Sequence, residues 1–153
     1  MAKKPRVSLK FLYNQCNDVK AIKEFYGDAL GMEIASFMDK PEFGWVNIRS
    51  DGLEFMFFRA DNKIDVPTEF AFQPGDGGGP RTAASWSVCV PEAEFRATVE
   101  RLRKSGAKAM TKTPTWRQDS YWGYTVLDPA GNTVEVYCAV KEKPASGLEQ
   151  ARP

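Results

Sequence analysis

The 153-residue sequence contains no histidine. It therefore lacks the side chain best suited to proton transfer near neutral pH, which is also the commonest metal ligand. A Ser/His/Asp triad, a Cys/His dyad and every histidine-based zinc site are excluded. Cysteine is scarce too: Cys16, Cys89 and Cys138 are odd in number and show no CxxC spacing. They predict free thiols in a reducing, cytoplasmic compartment. No stretch approaches the roughly 18 consecutive apolar residues that a membrane span needs. The basic residues Met1 to Arg6 are not followed by the apolar run of a signal peptide. Charge of one sign is also missing, since 21 basic residues face 20 acidic ones for a net +1. Nothing in that balance predicts nucleic acid or a polyanionic surface as partner.

What is present is a globular composition, 42% hydrophobic and 27% charged, long enough for one compact domain or two small fused modules. Val7 to Tyr13 is a β-branched and aromatic run that reads as a strand. Asn17 or Asp18 can then cap a helix over Val19 to Leu30. Its Ile22, Phe25, Tyr26, Ala29 and Leu30 recur on one helical face, and Gly31 ends it. Three extended runs follow, Glu33 to Met38, Gly44 to Arg49 and Gly52 to Arg59, with Asp51-Gly52 marking a tight turn.

The pattern breaks up from Asp61 to Ala84, where Pro74 to Pro80 reads Pro-Gly-Asp-Gly-Gly-Gly-Pro. This predicts a flexible connector. A phosphate cradle is the alternative, but no Lys-Ser/Thr follows the glycines. Trp86 to Val90 reads as the next strand, and Pro91 opens a helix carrying Phe95, Val99 and Leu102 at offsets of four and seven, with Gly106 after it. Ala107 to Thr111, Tyr121 to Leu127 and Thr133 to Val140 complete the set. The second half thus repeats the first as strand, helix and three strands. The expected organisation is α+β: a βαβββ module over residues 1–60, a connector over 61–84, a second module over 85–140 and a mobile tail over 141–153. Together the two modules are expected to form a curved mixed sheet with a concave ligand cleft.

Two segments carry a family resemblance over roughly residues 7–140. Phe25-Tyr26-Gly27-Asp28-Ala29-Leu30-Gly31-Met32 resembles the FY-x-D-x-LG signature of the vicinal oxygen chelate superfamily, the glyoxalase, bleomycin-resistance and extradiol-dioxygenase group. Asp128-Pro129-Ala130-Gly131-Asn132-Thr133-Val134-Glu135-Val136 similarly resembles its DP-x-GN-x-hydrophobic-E segment. The resemblance implies the duplicated fold and, in metal-using members, four ligand positions. In this chain they fall on Phe11, on Glu54, on Ser85 or Ser87, and on Glu135. Two carboxylates, an aromatic ring and a hydroxyl are a poor donor set for a catalytic divalent ion. Gln15, Gln73 and Gln118 do not fall where a replacement ligand belongs. The expectation is therefore no metal and no cofactor, as in the non-metal, bleomycin-resistance-like branch.

Glu54 and Glu135 remain as candidate catalytic groups, a proton donor and acceptor or a cation clamp if both face the cleft, with pairing to a nearby arginine as the structural alternative. The aromatic content is the other feature, with 10 Phe, 5 Tyr and 4 Trp. Phe11, Tyr13, Trp45, Trp86, Trp116, Tyr121 and Trp122, together with Glu54 and Glu135, are the candidate ligand-binding residues. Such side chains suit a planar or amphipathic organic molecule. The segment Trp116 to Trp122 reads as a loop on the rim of the cleft. Cys16, just before a helix start, is a less favoured nucleophile, and Cys89 and Cys138 read as packing.

The function expected is binding of a small aromatic or amphipathic ligand by a homodimer. A lyase, isomerase or dioxygenase working through a residual metal or through the glutamates is the alternative.

Overall fold

The computed structural model describes residues 7–73, 79 and 84–140. Most of the glycine-rich run and all of the tail over 141–153 lie outside the described residues. The chain divides into two compact units, Met1–Ile64 and Asp65–Pro153.

The first unit runs β1 (Phe11–Cys16), α1 (Val19–Lys23), a π-helical segment (Glu24–Ala29), β2 (Glu33–Asp39), β3 (Gly44–Ser50) and β4 (Leu53–Arg59). Its sheet has the order β1-β4-β3-β2, with β1 parallel to β4 and the other pairs antiparallel. Asp18 caps the helix, its carboxylate accepting from the amides of Lys20 and Ala21 at 2.9 and 3.0 Å. The helix then widens rather than continuing as α, and the Leu30 amide reaches back five residues to the Phe25 carbonyl at 3.0 Å. Gly31 ends it at φ 80. Phe25, Tyr26, Ala29 and Leu30 are buried, and Tyr26 meets Phe55 and Phe57 with ring centroids 5.6 and 5.5 Å apart. The conspicuous FY…LG motif is therefore a packing and helix-ending device.

β1 begins four residues later than the composition predicts. It pairs with β4 from Phe11 opposite Glu54, and β4 cannot start earlier because Asp51 and Gly52, at φ 48 and 84, make the tight turn before it. Val7 and Leu9 are left exposed.

The second unit repeats the order: β5 (Ser85–Cys89), α2 (Glu92–Lys104), β6 (Thr115–Arg117), β7 (Tyr121–Leu127) and β8 (Thr133–Ala139). Its sheet is β5-β8-β7-β6, again with one parallel pair. Phe95, Val99 and Leu102 form the buried stripe of α2. The predicted strand Ala107 to Thr111 is reduced to a single bridge, Ala109 to Val126. The strand that completes the module comes instead from the segment expected to be a rim loop. Gln118 and Asp119, at φ 50 and 47, turn Thr115–Arg117 back against β7, and Trp116 faces Trp122 edge-on at 5.4 Å.

The DP-x-GN motif also builds a turn. Asp128 Oδ1 accepts from the amides of Ala130 and Asn132, each at 2.9 Å, and Gly131 sits at φ 79. The chain is thus α+β, two βαβββ modules each with its own four-stranded mixed sheet.

Candidate functional site

Side chains alternate across a strand, so the register sorts each sheet into a helix-covered face and an opposite face. In the first module Phe55 and Phe57 meet Tyr26 on the helix side. Glu54, Met56 and Phe58 take the other face, and Phe11, Tyr13 and Gln15 stand beside them in register, with Arg49, Asn47 and Trp45 on the other flank. The rings form a row. Phe11 stacks on Tyr13 at 6.0 Å, Tyr13 on Phe58 at 6.0 Å, and Phe58 meets Trp45 at 6.3 Å. Phe11 is 44% exposed and Tyr13 64%.

Polar groups sit among these rings. Asn47 donates to Glu54 Oε2 at 2.5 Å. Arg49 pairs with Glu33 at 2.7 Å and stands 3.8 Å from Glu54 Oε1, within ion-pair range but beyond hydrogen-bond length.

In the second module Cys138 and Tyr124 lie on the helix side: the charge of Glu92 on α2 acts on the Cys138 thiol, and Arg103 of α2 lies 5.8 Å from the Tyr124 ring. Trp122 shares their parity, and so do Trp86, opposite Val134, and Trp116, opposite Trp122. The three tryptophans grouped with Glu135 by sequence are therefore on the face away from it. Adjacent residues of one strand cannot share a face, so Tyr121 stands with Glu135 and Trp122 does not.

Glu135 is buried and held on both oxygens. Arg117 Nη1 donates to Oε1 at 2.6 Å, the Tyr121 hydroxyl donates to Oε1 at 3.1 Å, and the Ser87 hydroxyl donates to Oε2 at 2.7 Å. Arg117 also donates to Thr125 and Thr115 at 2.9 and 3.0 Å. Its path is opened by Gly123, where a Cβ would lie 2.9 Å from both Cδ and Nε of Arg117. A glycine inside a strand pattern signals close approach by another group. That was the one sequence clue to this arginine. On the same face, Tyr137 meets Tyr121 edge-on at 5.4 Å. Its phenol is raised above its ordinary range, first by a hydrogen bond with Cys89, then by burial and by nearby negative charge.

The implied ligand positions can now be tested against geometry. In the first module Phe11 stands directly beside Glu54 and offers no lone pair. In the second, register selects Ser87 over Ser85 as the neighbour of Glu135. There the guanidinium already supplies the cation that the carboxylate needs, at 2.6 Å. A divalent ion would have to displace this buried arginine from Glu135. Gln15 stands in register with Phe58, Gln73 donates to Ser85 Oγ at 2.6 Å, and Gln118 sits in the hairpin turn. Among the described residues no group of three or more His, Cys, Asp or Glu is placed to hold a metal ion. The residues present do not fit the metal of the chelating members. Cys16 is buried, its Sγ 3.6 Å from the Phe58 carbonyl oxygen, which is a packing position.

These two modules define a glyoxalase-like duplicated fold. The family model for the Glyoxalase/Bleomycin resistance protein/Dioxygenase superfamily matches residues 12–136, and the chain belongs to that superfamily. Similar solved structures include a glyoxalase/dioxygenase from Nostoc punctiforme, with a TM-score of 0.63 and 17% identity over 88% of this chain and 92% of that one. A glyoxalase/bleomycin resistance protein/dioxygenase from Nocardioides superposes with a TM-score of 0.59 at 16% identity, covering 96% and 93%. A lactoylglutathione lyase from Agrobacterium tumefaciens gives 0.57 at 19% identity, covering 88% and 96%. At such identities the likeness shows the fold alone. No curated protein sequence matches. No helix among the described residues is long and apolar enough to cross a membrane.

Proposed function

We propose that this chain binds a small planar or amphipathic organic molecule without a metal, on the ring-bearing face of its first module. The observation that carries the reading is the continuous row Phe11, Tyr13, Phe58 and Trp45, in which the Phe11 and Tyr13 rings are exposed beside a polar cluster. Exposed aromatic surface of this kind costs free energy in water, and a flat ligand recovers it by burial and offset stacking, each ring pair contributing roughly 0.5–1.5 kcal/mol beyond area. Glu135, engaged on both oxygens, favours this reading over acid–base work by the two glutamates.

A thermal-shift screen against aromatic antibiotics and fused-ring metabolites tests it, because a ligand that binds only the folded state raises the melting temperature. The expected result is a saturable upward shift that is reduced in Phe11→Ala and Tyr13→Ala. A hit whose shift is unchanged in both variants contradicts the placement.

The same reading includes a homodimer, since β1 and β2 are the outer strands of one sheet and β5 and β6 of the other, and open strand edges favour pairing. A single monomer boundary in sedimentation across a hundredfold concentration range would argue against it. It also includes the cytoplasm, where the three cysteines, none of them in a disulfide, remain reduced.

A further inference from the structure

Asn47 stands between Trp45 and Arg49 on the ring-bearing face and is only 7% exposed. The orientation of its amide follows from chemistry. A carboxylate oxygen accepts, so the group 2.5 Å from Glu54 Oε2 is Nδ2, and Oδ1 points elsewhere. That Oδ1 is buried and has no hydrogen-bond partner among the described residues. Buried acceptors are nearly always paired in native proteins, so an orphan on a binding face calls for a donor from outside.

The charges around it say which donor. Two carboxylates, Glu33 and Glu54, share one guanidinium, Arg49, which makes its short contact with Glu33 and stands farther from Glu54. The cluster is rich in acceptors and carries an excess negative charge beside the rings.

We propose that Asn47 sets which ring the first module takes: a planar aromatic bearing a cationic hydrogen-bond donor, an amidinium or a protonated amine. Its N–H is accepted by Asn47 Oδ1, and its charge lies against Glu54. An aromatic carboxylate of the same shape would bring acceptors to an acceptor and negative charge to a carboxylate. The donor reaches the buried Oδ1 only when a neighbouring side chain moves aside; Arg49, two residues along the same strand and face, is half exposed, and its ion pairs are of the solvent-screened kind that hold weakly. This rests on the reading that the ring-bearing face is the ligand site.

The test uses the full chain and three probes of one ring system: 2-naphthamidine, 2-naphthoate and 2-methylnaphthalene, titrated by tryptophan fluorescence. In the wild type, naphthamidine is expected to bind at least about tenfold more tightly than naphthoate, as hydrogen bonds to charged groups allow. Asn47→Leu is expected to weaken naphthamidine by about tenfold while leaving 2-methylnaphthalene within a few fold, a comparison made on protein whose circular dichroism matches the wild type. Equal affinity for naphthamidine and naphthoate in the wild type overturns the proposal, and that comparison needs no variant to fold. Unchanged naphthamidine binding in Asn47→Leu overturns it as well. If 2-methylnaphthalene still binds and is weakened by Phe11→Ala, the ring-face reading stands even where the donor preference fails. If none of the three probes binds, both fall.

Discussion

Replacing Arg117 by methionine removes a guanidinium whose side chain is 3% exposed and leaves Glu135, 11% exposed, in a site built around that charge. The substitution keeps the length of the stem and deletes the 2.6 Å contact to Glu135, together with the bonds to Thr125 and Thr115. Breaking a buried pair on one side typically costs about 3–5 kcal/mol, because the remaining charge is stranded away from water. Against a total stability of roughly 5–15 kcal/mol, that is a large share. At about 2–4 °C per kcal/mol for a chain of this size, the melting temperature should fall by roughly 6–20 °C. Urea unfolding followed by circular dichroism measures the free energy. The double variant Arg117→Met with Glu135→Leu removes both charges and should recover most of the loss, since apolar replacement of a whole buried pair is often neutral or better. An Arg117→Met protein within about 1 kcal/mol of the wild type would refute the claim that this arginine is the counter-ion of Glu135.

Gly123→Ala places a methyl 2.9 Å from the arginine stem, so it should destabilise the protein and lose most of its effect in an Arg117→Met background, a coupling that a double-mutant cycle reads. Gly131→Ala and Gly106→Ala both put a side chain at positive φ, 79 and 78, but only at Gly131 would the Cβ meet backbone, 2.4 Å from the Pro67 carbonyl oxygen. Gly106→Ala should cost about 1–2 kcal/mol and Gly131→Ala clearly more, as urea midpoints will show. Burial raises the Cys138 thiol from 9.0 to about 11, with the charge of Glu92 adding to it. The folded state therefore holds that proton more tightly than the unfolded chain. Stability is retained below pH 9 and lost as pH rises toward 11, a component of the alkaline urea-midpoint decline that Cys138→Ala should remove.

The order of elements was legible because hydrophobic period and punctuation agree: Asp18 caps, Gly31 and Gly106 stop, and Asp51-Gly52 turns. The two family motifs read correctly for the fold and little for chemistry, since the first is spent on ending a helix and packing the core and the second on a turn, with Glu135 near its end held by Arg117. The same parity argument that put Phe11 and Tyr13 beside Glu54 would have divided Tyr121 from Trp122. In sequence the segment reads as a loop, because its polar residues hide a short hairpin whose turn uses Gln118 and Asp119 at positive φ. Arg117 was missed for the same reason: a charged residue in a polar stretch reads as solvated, and only the sheet places it across Gly123 onto Glu135. The orphan oxygen of Asn47 has no sequence signature, because it follows from which atom of the amide Glu54 claims.

Metal content tests the account most directly. Protein purified without chelator, equilibrated in turn with manganese, nickel and zinc, then desalted, should carry well under one ion per chain by mass spectrometric elemental analysis. That amount should be the same in Glu54→Gln and Glu135→Gln. One tightly held divalent ion per chain, lost in either variant, would mean that the carboxylate removed serves a metal, and the metal-free reading would be wrong.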